Sequence, residues 1–240
     1  MKNKNGNNKL PTADCDSSSS SSSNLSFRWV ISEEGDDDAD DDNVEACYWQ
    51  WVNDTYKSIK FRPSTKDDVV LVAEITNVTE SNYRSITMTT TTTKVGLGRL
   101  VQIPKTKKDK QQQQEEEEEE EGCGDDWELG GIYVIESFRK RGIAREIVTR
   151  LISKAKEKAA IQQQQYGEEQ QQQQKKQSTG SILWCIPFEH LREFYKSCGF
   201  EQVQNYKNKL DTLPGTIQCK LSGCASTFPD TPTTLLKLDL

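Results

Sequence analysis

The chain has 240 residues, of which 33% are hydrophobic and 29% are charged, and its formal net charge at pH 7 is -7. These averages lie between those of a globular domain and those of a disordered chain. No apolar stretch approaches the roughly 20 residues of a membrane-spanning helix, and the N-terminal residues lack the apolar core of a signal peptide. We therefore expect a soluble intracellular protein, in the cytoplasm or the nucleus. Seven cysteines without a C-x-x-C pair indicate neither a disulfide framework nor a zinc site.

The polar residues are concentrated in low-complexity tracts of serine, threonine, glutamine and acidic residues. Such tracts cannot bury enough apolar surface to offset the entropy lost on ordering. We therefore predict a disordered Asn/Ser-rich tail and four disordered insertions, at residues 1–26 and at about 33–42, 79–94, 104–126 and 162–180. The rest, roughly 146 residues, has the size of one domain. The acidic excess lies in the tracts, whereas the remaining chain carries more basic than acidic residues.

The first half of the chain predicts a strand, then a helix, then two neighbouring strands. Residues 27–31 are predicted as a strand, and the apolar spacing over 43–58 is roughly helical. The apolar runs at 69–75 and 95–101 predict neighbouring antiparallel strands joined by the threonine-rich segment.

The second half alternates strands and helices. A strand at 129–135 leads into a helix whose apolar residues, from Ile147 to Ala159, form one stripe. An apolar strand at 181–186 precedes a short helix that ends near Gly199. A loop-rich segment and a terminal strand at 234–240 follow. The order of elements predicts an α/β (α+β) domain.

A basic turn lies between the strand at 129–135 and the striped helix. It has the pattern R-x-x-G-x-A at 139–144. Free amides at the start of a helix attract anions, and Gly142 would let the backbone approach a phosphate. The spacing alone also fits a solvated basic surface or a localisation signal.

A second pattern, F-Y-x-x-x-G-F at 194–200, follows about fifty residues later, and E-L-G-G-I-Y-V at 128–134 precedes the turn. Together these patterns resemble the GCN5-related N-acetyltransferase (GNAT) superfamily, from about residue 69 to residue 200. The resemblance implies an acetyltransferase domain at 27–240, with helices flanking a mixed, mostly antiparallel sheet. That sheet would splay open between 128–135 and 181–186 to hold acyl-CoA.

The resemblance also implies roles for individual residues. The general acid that protonates the departing thiolate would be Tyr195, and a candidate general base is Glu128. Many family members carry an asparagine that hydrogen-bonds near the cofactor, and this chain has Phe188 at that position instead. The pantetheine arm would pair with backbone groups of one strand, at Ile132, Tyr133 and Val134. The pyrophosphate would be held by backbone amides of the turn, at Arg139, Lys140, Arg141, Gly142, Ile143, Ala144 and Arg145.

Each candidate also has a structural interpretation. Tyr195 fits a core residue with its hydroxyl at the surface, and Glu128 fits a solvated charge at a strand end. The single histidine, His190, is predicted to be a surface residue. Cys185 is expected to pack in the core, and Cys198 is either a reactive thiol or a filler at the helix end.

The leading functional hypothesis is an N-acetyltransferase that moves an acetyl group from acetyl-CoA to a primary amine by direct attack. The acceptor would be a small molecule or a protein amine, no metal is expected, and the protein would be a monomer or homodimer. The alternative is a non-catalytic acyl-CoA-binding sensor or scaffold. A third hypothesis, a nucleic-acid site on the basic patches, is disfavoured because aromatic residues are not interleaved with them. We expect neither nucleic acid nor membrane as a partner.

Overall fold

The computed structural model describes residues 22–30, 42–83, 85–104, 126–169 and 180–240. Within these residues, seven strands form a single sheet in the order β1-β2-β3-β4-β5-β7-β6. In chain order the elements are β1 (Ser22–Val30), α1 (Asp42–Ser58), β2 (Val69–Tyr83), β3 (Ser85–Gln102), β4 (Trp127–Val134), α2 (Ile143–Glu169), β5 (Ile182–Cys185), α3 (Arg192–Lys196), β6 (Glu201–Gln202), α4 (Gly215–Thr227) and β7 (Leu236–Asp239).

The sheet is antiparallel except at one point. β4 and β5 run parallel and pair at three positions, from Trp127–Leu183 to Leu129–Cys185. β5 then ends, whereas β4 continues to Val134. Among the described residues, no strand pairs with this last part of β4 on the β5 side, so a gap opens there. The predicted fold class, a mixed and mostly antiparallel sheet that splays open between these strands, is confirmed.

Helices cover both faces of the sheet. In β2, Leu71 and Ala73 pack in the core under α2, whereas Val70 and Val72 pack under α1. The strand is therefore apolar at consecutive positions, as expected where both faces are buried. We call the side covered by α2 and α3 the α2 face, and the side covered by α1 and α4 the α1 face. None of the helices in the described part of the chain is long and apolar enough to cross a membrane.

Parts of the predicted low-complexity segments are ordered elements instead. β1 begins at Ser22, inside the predicted tail, and residues 79–83 and 85–94 continue β2 and β3 as a long antiparallel pair. Threonine is β-branched and favours strands, and Thr76 and Thr92 share a 3.3 Å hydrogen bond across the pair. Residues 162–169 belong to α2 because glutamine is a good helix former. Residues 1–21, 33–41, 105–125 and 170–179 of the predicted tail and insertions lie outside the described residues.

The segment after β6 contains a helix where a loop is predicted from sequence. Its residues include weak helix formers such as Gly215 and Gly223. Packing decides the outcome: Ile217 and Leu221, one turn apart, are buried against Trp184 of β5. Tertiary contacts of this kind commonly outweigh propensity. Through these contacts α4 lies over the start of the β4–β5 gap.

Candidate active site

A bulge in β4 lies beside the point where the β4–β5 ladder ends. Gly130 pairs with Arg99 and Tyr133 pairs with Leu97, so two residues of β4 oppose one residue of β3. Gly131, in the bulge, has a φ of +62°. A Cβ there would lie 2.6 Å from the ring of Tyr56 and 2.7 Å from its hydroxyl. Both the conformation and the close contact therefore require glycine.

The basic turn before α2 contains two residues in the left-handed region. Lys140 and Gly142 both have positive φ, at 63° and 80°. Turns with residues in this conformation can direct successive backbone amides at an anion. A Cβ on Gly142 would meet no atom within 4 Å, so this glycine serves the turn's conformation and leaves open space. Buried Ile143 anchors the first turn of α2.

The arginines of the turn are held mainly by the protein itself. The Nε of Arg139 donates to the Val134 carbonyl at 3.1 Å. Arg145 donates from Nη2 to the Ser197 hydroxyl at 2.9 Å, which ties α2 to the end of α3. Lys140 is exposed at the turn. Arg141 is also exposed, with its guanidinium 5.2 Å from the ring centre of Phe138, so the side chains of Lys140 and Arg141 and the turn's backbone are available to an anion here.

Tyr195 lies on the α2 face, at the end of the β4–β5 ladder. Its ring is 6% exposed and packs edge-on against Phe194 and Phe200. Burial is the main factor that raises its pKa well above the usual value, and the thiols of Cys185 and Cys198 raise it further. Tyr195 and Cys185, the last residue of β5, are both buried in the core on the α2 face, so the interpretation with the hydroxyl at the surface is not supported.

Glu128 lies on the opposite, α1 face, since its neighbour Leu129 packs under α2. Glu128 is only 8% exposed, so the interpretation as a solvated charge is wrong. Its carboxylate forms an ion pair with the Nζ of Lys220 on α4. The side chain of Lys220 is 25% exposed. Burial, followed by the positive charges of Arg62 and Arg99, lowers the pKa of Lys220 to about 8.

A buried charge cluster adjoins this pair on the α1 face. Asp68 accepts from the Nη2 of Arg62 at 3.1 Å and lies 3.4 Å from the Nη1 of Arg99. The Ser64 hydroxyl donates to the same carboxylate at 3.0 Å. Arg99 also lies 4.7 Å from the ring centre of Tyr56. The sequence offered no motif for this cluster, because its members come from α1, the loop after it, and β3.

The hydroxyl of Tyr56 stands out within that cluster. It is fully buried and has no hydrogen-bond partner among the described residues. Burial raises its pKa, so it remains a protonated donor. The hydroxyl lies against Gly131 in the β4 bulge. From sequence Tyr56 is only an apolar position in a helix, and nothing in its local pattern marks it as a site residue.

Other candidates have structural roles. Asp126, inside the predicted 104–126 insertion, accepts from the Ile182 amide at 3.0 Å and the Trp184 indole at 2.9 Å, and so fastens β4 to β5. Phe188 stacks with exposed His190, as expected for a surface histidine. Burial raises the pKa values of the Cys185 and Cys198 thiols, which does not favour a reactive thiolate. Among the described residues, no group of three or more histidine, cysteine or acidic residues could hold a metal.

Residues 48–173 match the model of the Acetyltransferase (GNAT) family. That match covers more than half of the chain. The chain belongs to the GNAT acetyltransferase family. The resemblance seen in the sequence patterns is thereby confirmed, and so is the class of enzyme. None of the curated protein sequences matches this GNAT chain significantly.

Solved acetyltransferase structures are similar to this GNAT protein over most of its length. NAA60 of Arabidopsis thaliana, solved in complex with acetyl-CoA, is 11% identical, with 90% of this chain and 99% of that chain covered and a TM-score of 0.41. An acetyltransferase of Bacillus subtilis in complex with CoA is 17% identical, with coverages of 90% and 99% and a TM-score of 0.36. A GNAT-family protein of Desulfovibrio desulfuricans is 10% identical, with the same coverages and a TM-score of 0.42.

Proposed function

We propose that this GNAT protein transfers the acetyl group of acetyl-CoA to a primary amine by direct attack. The observation that carries the proposal is the break in the β4–β5 ladder, with Glu128 and Tyr195 beside it on opposite faces. Membership in the acetyltransferase family supports the reaction class. An amine on the α1 face and a thioester in the gap would then meet between a carboxylate and a phenol.

The donor would be bound mainly by backbone. The last residues of β4, Ile132 to Val134, lie along the gap, where their amides and carbonyls would pair with the pantetheine arm. The amides around Lys140 and Gly142 and the start of α2 would hold the pyrophosphate. In this arrangement the acetyl group lies near the β4 bulge, where the buried Tyr56 hydroxyl is an additional donor toward the carbonyl.

Two side chains would move protons. Glu128 accepts the proton that the amine must lose before it attacks. Tyr195 stays protonated at neutral pH because burial raises its pKa, and it donates to the sulfur as the C–S bond breaks. Direct transfer needs proximity and a neutral amine but no covalent enzyme intermediate. Such a mechanism agrees with the raised pKa values of Cys185 and Cys198, which do not favour a thiolate that could carry the acetyl group.

The test is CoA thiol release from acetyl-CoA with polyamines, amino acids, lysine peptides and free N-termini, with products read by mass spectrometry. We expect activity on at least one amine class. Tyr195→Phe keeps the ring packing and should lower kcat about a hundredfold or more, while calorimetry shows unchanged CoA affinity. Tyr206→Phe is the matched control, since that hydroxyl donates to the Thr233 carbonyl elsewhere.

Two outcomes would contradict the proposal. Equal rates for the wild type and Tyr195→Phe would remove the general-acid role of Tyr195. CoA binding without turnover of any amine in the panel would support the non-catalytic sensor or scaffold instead.

A further inference from the structure

The Glu128–Lys220 pair places an amine of the protein itself beside the proposed general base. Lys220 extends from α4, which is anchored by buried Ile217 and Leu221 on either side of it. Its Nζ contacts a carboxylate oxygen of Glu128. The lysine is therefore held in position by the helix as well as by the ion pair.

This amine lies close to the opening of the gap. Glu128 directly precedes Leu129, which forms the last ladder pair with Cys185. Successive residues of a strand are about 3.3 Å apart. Lys220 thus lies about one residue from the start of the gap, on the face assigned to the acceptor.

Two opposing effects act on the Lys220 amine: burial and nearby positive charges disfavour its ammonium form, whereas the ion pair with Glu128 favours it. Besides Glu128 on β4, the charged and titratable groups that face it are Arg62, Asp68, Arg99 and Cys224. Asp68 and Cys224 raise its pKa, but burial and the two arginines prevail and lower it to about 8. About half of the Lys220 amine is then neutral at pH 8, against about 1% or less of an ordinary lysine.

We propose that Lys220 is an internal acetyl acceptor, modified in cis when acetyl-CoA occupies the gap. The proposal rests on the proposed function, because it uses the same donor, base and acid. If Lys220 served only as a structural ion-pair partner, acetyl-CoA would not label it faster than exposed lysines.

The reaction balances without a further reactant. The Lys220 ammonium gives one proton to Glu128, which passes it to solvent. The neutral amine forms the amide C–N bond as the thioester C–S bond breaks, and the electron pair leaves on sulfur. Tyr195 gives its proton to that sulfur. The nitrogen loses its second proton as the amide forms, and this proton restores the Tyr195 hydroxyl. The products are Nε-acetyl-Lys220, CoA and one proton, and the charge that paired with Glu128 is gone.

The experiment uses the full chain with Lys220 shown to be unmodified by peptide mass. Deuterated acetyl-CoA is added at pH 8, and label is quantified at Lys220 and at exposed Lys207 and Lys209 of the same segment. We expect labelling of Lys220 to be about tenfold faster or more, with a first-order rate that stays constant on about hundredfold dilution of the protein. Glu128→Gln and Tyr195→Phe should reduce it to the level of the exposed lysines.

Intact mass gives a second readout. Lys220→Arg keeps the positive charge and should remove the fast phase of acetyl incorporation, whereas the matched variant Lys207→Arg should keep it. Equal labelling of the three lysines, or a rate that falls with dilution, would overturn the proposal. If amines of the panel are acetylated while Lys220 is not, only this inference fails. If neither is acetylated, the proposed function fails with it.

Discussion

The two faces of the sheet at the β4–β5 gap differ in the chemical groups that they place beside it. On the α2 face, Tyr195 lies among apolar side chains, and the turn before α2 presents its backbone together with the exposed side chains of Lys140 and Arg141. On the α1 face, the same region holds buried charges, with Asp68 and Arg99 next to the Glu128–Lys220 pair. Under the proposed function, backbone amides suit a donor that is the same in every reaction. Buried charges cost desolvation, and in the proposed function they would orient or select the acceptor.

The largest expected effect concerns the buried charges of the α1 face. Asp68→Asn leaves Arg99 buried without its counter-charge, and the free energy of unfolding should fall by about 3 kcal/mol. Glu146→Gln is the control, because its pair with Arg150 is exposed on α2 and should change stability by at most about 0.5 kcal/mol. Urea unfolding of the two variants measures the difference. If the two variants lose similar stability, the ion pair of Asp68 with Arg99 contributes no more to folding than the exposed pair of Glu146 with Arg150.

A smaller effect is expected at the β4 bulge, where the two faces meet. Gly131→Ala combines a positive φ with a clash against Tyr56 and should cost about 2–3 kcal/mol of stability. Gly142→Ala has the positive φ but open space around the Cβ, so about 1 kcal/mol is expected. Chemical denaturation of both variants tests this. A loss at Gly142 as large as that at Gly131 would contradict the tight contact between the bulge and α1.

The pH dependence of Lys220 labelling tests the acceptor side kinetically. A lysine reacts as the neutral amine, so the rate should rise tenfold per pH unit below its pKa and become constant above it. For Lys220, whose pKa is lowered to about 8, the rise should end near pH 8. Acetylation of a free lysine amine, such as that of Nα-acetyl-lysine, should still be rising at pH 9.5. A Lys220 profile that continues to rise in parallel with this reference amine would contradict the prediction.

The contrast between the faces also explains what the sequence could reveal. The strand, turn and helix from Glu128 to Arg145 are contiguous, and the apolar stripe of α2 follows a regular period, so this part could be predicted. Lys220 and Glu128 are 92 residues apart in the chain. No local pattern marks such a pair. The helix α4 is stabilised by the packing of Ile217 and Leu221 against Trp184, and its residues do not by themselves favour a helix.

The smallest effect is expected at Arg145, which tests whether the donor side depends on backbone. Its guanidinium is already bound to the Ser197 hydroxyl and carbonyl, at 2.9 and 3.3 Å. Arg145→Ala should therefore weaken CoA binding by only about threefold or less, in the range of an exposed charge contact, as measured by calorimetry. Ser197→Ala controls for the link to α3. A loss above about tenfold in Arg145→Ala alone would mean that the guanidinium leaves Ser197 to bind phosphate, and the donor face would then depend on charged side chains as the acceptor face does.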